Sequence, residues 1–171
     1  MFTSSRLGLL GLLIVAPLPG TTLERLSLEE MIAKSTGIAR AKVTGSYAAA
    51  RGTSVYTFYK LEISESLKGA PVPREVAVPG GVLRGMRQTV AGAPILTQGE
   101  EYVLFLWTSR TGLTQVIGLS QGLFNVKLDA TGKVIAMSAG SEADGGGAPV
   151  KFTLPELRSR VQSVLSGGAA E

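Results

Sequence analysis

At 171 residues, 44% hydrophobic and 18% charged, the chain is long and apolar enough to form one domain whose core needs no cross-links. It contains no cysteine and no histidine, so a cysteine nucleophile, a Ser-His-Asp triad, a histidine general base and the usual His/Cys zinc sites are excluded from this chain alone. A formal charge of +4 with scattered basic residues describes a mildly basic solvated surface and no nucleic-acid patch.

Residues 1–20 read as a signal peptide. One cation, Arg6, precedes an apolar run from Leu7 to Ala16, and Pro17, Pro19 and Gly20 end it. Cleavage is expected after Gly20, with Ala16 as the alternative. The run is about half the ~20 residues that a spanning helix needs, so no stable transmembrane anchor is expected once the leader is removed. The expected location is periplasmic or extracellular.

Ser27 and Glu30 have capping-box spacing ahead of Leu28, Met31 and Ile32, which share a helical face, and Gly37 is expected to end this helix. From Ile38 the period becomes two: Ala39, Ala41 and Val43 alternate with Arg40, Lys42 and Thr44. Val55 to Leu67 is the longest predicted strand, with Tyr59, Leu61, Ile63 and Leu67 on one side and Lys60, Glu62, Ser64 and Ser66 on the other. A turn over Lys68 to Pro71 leads to a short strand from Glu75 to Val78.

Pro79 to Gly99 reads as a long irregular connection with a short extended piece within Met86 to Val90. Tyr102 to Trp107 then runs without a polar residue, which implies burial on both faces, one toward a sheet core and one beneath a helix. Further strands are expected at Thr114 to Gly118, Phe124 to Leu128 and Val134 to Met137, with a turn over Asp129 to Gly132. Residues 138–150 have the Gly/Ala/Ser composition of a flexible linker. Thr153 and Glu156 repeat the capping-box spacing, and Leu154, Leu157, Val161 and Val164 form a stripe. Residues 151–171 are therefore read as a C-terminal helix packed on the domain formed by 21–137.

The expected fold is mainly β: a partly closed antiparallel OB-like barrel of six or seven strands with short N- and C-terminal helices. The layout of a helix, then Ile38-Ala39-Arg40-Ala41-Lys42-Val43, then a long strand ending Leu67-Lys68-Gly69, then Gly99-Glu100-Glu101-Tyr102-Val103-Leu104 resembles the netrin-like OB-fold domain of tissue inhibitors of metalloproteinases. It is also similar to a group of exported bacterial proteins. The resemblance spans about residues 23–128 and rests on strand order. The animal inhibitors reach the protease zinc through an N-terminal cysteine, and this chain has none, so zinc-directed inhibition does not carry over.

No catalytic residues, metal ligands or cofactors are assigned. Glu100 and Glu101, adjacent on a strand, point to opposite faces and read as solvated edge charge. Glu29 and Glu30 are explained by the cap and helix dipole. No spacing singles out a Ser-Lys dyad among seven lysines. The first candidate binding surface is the Pro79–Gln98 connection, with Gly80, Gly81, Arg84 and Arg87 beside Val82, Leu83 and Met86 and no acid. Arginine forks in such a setting suit a carboxylate-bearing partner, an exported protein being expected. A self-packed connection with two solvated arginines is the alternative. The second candidate is the strand face of Tyr56, Phe58 and Lys60, which serves either for stacking a ligand or for packing against a neighbouring strand or helix. The expected function is a non-enzymatic exported binding module. A hydrolase using Ser/Lys or Glu chemistry, and an envelope domain holding an anionic polymer, are the alternatives.

Overall fold

Both capping boxes form and set the helix starts. Ser27 Oγ accepts from the Glu30 amide at 3.1 Å while Glu30 Oε2 accepts from the Ser27 amide at 2.8 Å. Glu156 Oε2 accepts from the Thr153 amide at 2.7 Å and Thr153 Oγ1 from the Glu156 amide at 3.3 Å. Each box satisfies amides that a helix start leaves without intrahelical partners. Residues 24–138 and 150–167 of the computed structural model are described. The signal peptide assigned to 1–20, 139–149 of the linker assigned to 138–150, and 168–171 of the C-terminal helix segment assigned to 151–171 lie outside them.

The elements begin with α1 (Leu28–Lys34), β1 (Gly37–Arg51), β2 (Ser54–Lys68) and β3 (Glu75–Pro79). Two three-residue strands follow, β4 (Gly81–Leu83) and β5 (Met86–Gln88). Then come β6 (Glu101–Thr108), β7 (Thr114–Val116), β8 (Leu123–Leu128) and β9 (Val134–Ser138). The described chain finishes with β10 (Lys151–Thr153) and α2 (Leu154–Gly167). The main sheet is eight-stranded in the order β10-β9-β8-β6-β1-β2-β3, with β7 also on β6, and every pairing is antiparallel. β4 and β5 form a separate two-stranded sheet. The mainly β class with two helices is as expected, but no sheet is closed into a barrel.

Curvature comes from three register shifts between β1 and β2, at Ile38/Ala39, Arg40/Ala41 and Val43/Gly45. An extra residue at each shift bends and twists the pair. The sheet curls enough to bring β3 beside β7, with no ladder between them. The shifts also correct the expected face of Leu67. Skipped in the pairing with Ile38 and Ala39, it packs with Ile38, away from Tyr59 and Ile63.

The curled sheet has a core on each side. Val103 and Phe105 of β6 face Met31 and Ile32 of α1 and Leu154, Leu157 and Val161 of α2. Tyr102, Leu104 and Leu106 face the other way, onto Ala41, Val43, Leu61, Val76, Val78 and Val116. The two-sided burial expected of this strand is thus observed up to Leu106. Trp107 is a correction: it stands at the strand's end with 45% of its surface exposed. Phe124 joins the helical core, tilted against Phe105 at 5.5 Å and Phe152 at 4.8 Å between ring centres. Each such pair contributes about 0.5–1.5 kcal/mol beyond burial.

Phe152 also corrects the start of the C-terminal segment. Lys151–Thr153 is a strand that pairs with Ile135–Met137 of β9 before the helix begins. Its apolar anchor is a single residue, too short a run for periodicity to reveal.

Candidate functional site

The Pro79–Gln98 connection is not irregular. Its first half is the β4–β5 hairpin, in which Gly81 faces Gln88, Val82 faces Arg87 and Leu83 faces Met86. Arg84 (φ 51°) and Gly85 (φ 80°) form a two-residue turn whose positive φ values match the twist of the strands. The pattern is easily missed because an arginine occupies a position where Asn or Asp is usual. In the second half Pro94 and Leu96 are buried, and Leu96 and Ala93 pack into the concave core. The Thr97 amide donates to the Tyr102 hydroxyl at 2.9 Å, and Gly99 and Glu100 exchange backbone bonds with Val43. That half is structural.

Three bonds hold the hairpin to β2. The Gly80 amide donates to the Val55 carbonyl at 2.8 Å, the Val55 amide to Gln88 Oε1 at 2.6 Å, and Thr57 Oγ1 to the Gly80 carbonyl at 2.9 Å. Close approach requires glycine: a Cβ at Gly81 would lie 2.6 Å from Thr57 Oγ1, and one at Gly80 would lie 3.0 Å from the Gln88 carbonyl oxygen. The structure therefore brings Gly80, Gly81 and Arg87 together along one cleft of about 210 Å³. Tyr59, Val78, Val82, Val90 and Ile95 supply much of its remaining wall. Arg84 stands outside it, at the turn.

Two arginines and three exposed apolar side chains lie together on and beside this hairpin, in a stretch from Val76 to Gly99 that has no acid. Arg84 and Arg87, like several other surface cations, have no carboxylate partner among the described residues. Val82, Met86 and Ile95 are 51%, 68% and 83% exposed. The cleft wall contains no carboxylate, lysine or serine.

The second candidate face is internally occupied. Tyr56, Phe58 and Lys60 do share a face opposite Leu61, but Phe58 is buried under Tyr47 of β1, with rings stacked at 5.2 Å and 13°. Arg51 lies 5.9 Å from the Phe58 ring and Lys60 5.9 Å from that of Tyr47. The Tyr47 hydroxyl donates to Glu75 at 3.0 Å, which raises its pKa. This is the packing alternative, cross-strand. Tyr47 and Arg51 escaped sequence reasoning because β1 runs on through Ala48-Ala49-Ala50, where small residues suggest a turn.

The acids are equally structural. Glu101 is not solvated edge charge: it accepts from Arg40 at 2.7 Å and from Ser64 Oγ at 2.9 Å, across the three adjacent strands β6, β1 and β2. Arg158 bridges α2 to Glu65 with two bonds of 2.6 and 2.9 Å, holding that carboxyl below its ordinary pKa. Lys68 Nζ donates to the Ile32 and Ala33 carbonyls at the end of α1, where burial lowers its pKa. Among the described residues no three acidic, histidine or cysteine side chains gather as a metal site, and no helix is long and apolar enough to cross a membrane. No protein-family model matches the chain, and comparison with curated proteins finds no relative.

Proposed function

We propose that this chain is an exported, non-enzymatic binding module that holds a protein partner through the β4–β5 hairpin and the adjoining rim of the curled sheet. The observation that carries the reading is the pair Arg84 and Arg87, without carboxylate partners among the described residues, within the acid-free stretch from Val76 to Gly99 and beside exposed Val82, Met86 and Ile95. Exposed apolar groups beside arginines suit a partner that buries the first and pairs with the second. The hairpin is bonded to β2 of the long β1–β2 pair, so these groups sit on the edge of a sheet scaffold, as binding segments commonly do.

Size favours a macromolecular partner. A cleft of about 210 Å³ falls below the ~300–1,000 Å³ of small-molecule sites. A hydrolase reading has less support: the cleft's hydroxyls, Thr57, Thr89 and Tyr59, have no lysine or carboxylate beside them in its wall to serve as base. Export is supported by the Leu7–Ala16 run. An OB-like curl of the sheet is supported by the bulged β1–β2 pair and the approach of β3 to β7.

The test replaces Met86 with a photo-cross-linking amino acid in cells that make the protein, with Leu128, 69% exposed on β8, as the control site. A discrete adduct from position 86, lost in Arg84→Gln/Arg87→Gln, is the expected result. No adduct from 86, or the same adduct from 128, would overturn the proposal.

A further inference from the structure

Resting on that reading, we propose that the hairpin's occupant is an extended acidic–apolar peptide segment, with one apolar side chain seated in the cleft and a carboxylate two positions away, on the same face, bound to Arg87. Charge complementarity is the first argument. From Val76 to Gly99 the chain has no Asp or Glu, and Arg87 is the only charged residue in the cleft wall. A guanidinium is weakly hydrated and binds a carboxylate through two parallel bonds, so it recognises an acid in a partly desolvated setting better than an ammonium does.

Geometry narrows the class. Val82 and Arg87 are direct cross-strand neighbours, whose Cβ atoms in such pairs lie about 4.5–5.5 Å apart. An apolar group on Val82 and a carboxylate on Arg87 therefore lie close enough together to come from one short ligand segment. Arg84 precedes Arg87 by three residues, in the hairpin turn, within about 10 Å of it by backbone span. An extended chain repeats side chains on one face every ~7 Å, so an apolar residue in the cleft and an acid two positions away face the hairpin together, within the reach of Arg87, while the residue between them points away. The concave form argues against a lipid surface. Val78, Pro94 and Tyr59 line the interior, and a bilayer headgroup plane cannot enter a recess that accommodates about one side chain.

The probes are a fluorescein-labelled peptide in which Asp and Leu take turns at every second position with Ser between them, its twin with Asn for Asp, and phosphatidylglycerol vesicles, each titrated into the purified protein. The Asp peptide is expected to bind saturably, and at least tenfold more weakly in Arg87→Gln, in Val82→Ser, and in high salt; the Asn twin is expected to bind at least tenfold more weakly to the unaltered protein. Unchanged thermal melting shows that the variants still fold. Equal binding of the twin, no effect of Arg87→Gln, or no binding of either peptide overturns the acidic class. Arg87-dependent vesicle binding without peptide binding assigns the patch to anionic lipid instead. The cross-link from position 86 reports separately whether hairpin docking survives any of these failures.

Discussion

Two glycines of one hairpin provide a test of how the site is held. Gly81 has φ 143° and a would-be Cβ 2.6 Å from Thr57 Oγ1, whereas Gly85 has φ 80° and open space around it. Gly85→Ala meets only the backbone preference against left-handed φ, about 1 kcal/mol. Gly81→Ala adds a steric conflict. The Thr57 hydroxyl must move and surrender its bond to the Gly80 carbonyl, about 1 kcal/mol, on top of a backbone cost of roughly 1–3 kcal/mol. We expect about 3 kcal/mol for Gly81→Ala against about 1 kcal/mol for Gly85→Ala. Because β4–β5 is a sheet of its own, the loss should first open the hairpin and leave the main sheet intact. Native-state amide exchange reads this directly: Leu83 and Met86 amides should speed up far more in Gly81→Ala than in Gly85→Ala, with β6 amides unchanged. Thr57→Ala in the Gly81→Ala background should recover the steric share and not the backbone share. Equal effects of the two glycine substitutions would refute the reasoning.

Leu157→Ala, at a fully buried position on α2, should cost about 2–5 kcal/mol in urea denaturation, while Leu165→Ala, 45% exposed, stays within about 0.5 kcal/mol; equal losses would mean that α2 does not cover the sheet as described. Ser27→Ala should cost about 1 kcal/mol by the same measurement, by removing half of the capping box. The folded-state pKa values of Glu30, Glu65, Asp129 and Glu156 lie below their ordinary values through bonds from Ser27, Arg158, Thr131 and Thr153 respectively. The unfolded chain therefore binds more protons as pH falls through the ordinary carboxylate range, so this stabilisation is present above about pH 5 and is lost progressively below it. With no histidine, the thermal midpoint should be flat from about pH 6 to 8 and fall on acidification, less steeply in Glu65→Gln; a step near pH 6.5 would contradict this.

Local chemistry wrote much of this fold legibly. The two capping boxes marked both helix starts because their bonds span only three residues. Period-two runs marked the strands, and the unbroken run from Tyr102 to Leu106 marked a strand with a core on each side. The turn over Asp129 was equally readable, since that carboxylate accepts from residues two and four positions on. The candidate segment was found by its length, its arginines and its lack of acids, but its hairpin was not, because Arg84-Gly85 is an unusual two-residue turn and three-residue strands carry no period.

Pattern within one strand determined which residues of this protein are apolar on which side, and where its helices begin. Long-range packing decided the rest: the bulges that turn Leu67 toward the helices, the short β10 that Phe152 anchors, the pairing of Glu101 with Arg40, and the docking of the hairpin on Thr57. These depend on which partner lies across a strand pair or a core, and residue order alone does not contain that information. The same holds for sheet closure. The three bulges curl β3 toward β7, yet no ladder joins them, because curvature accumulates over several strand pairs and is a property of none of them singly.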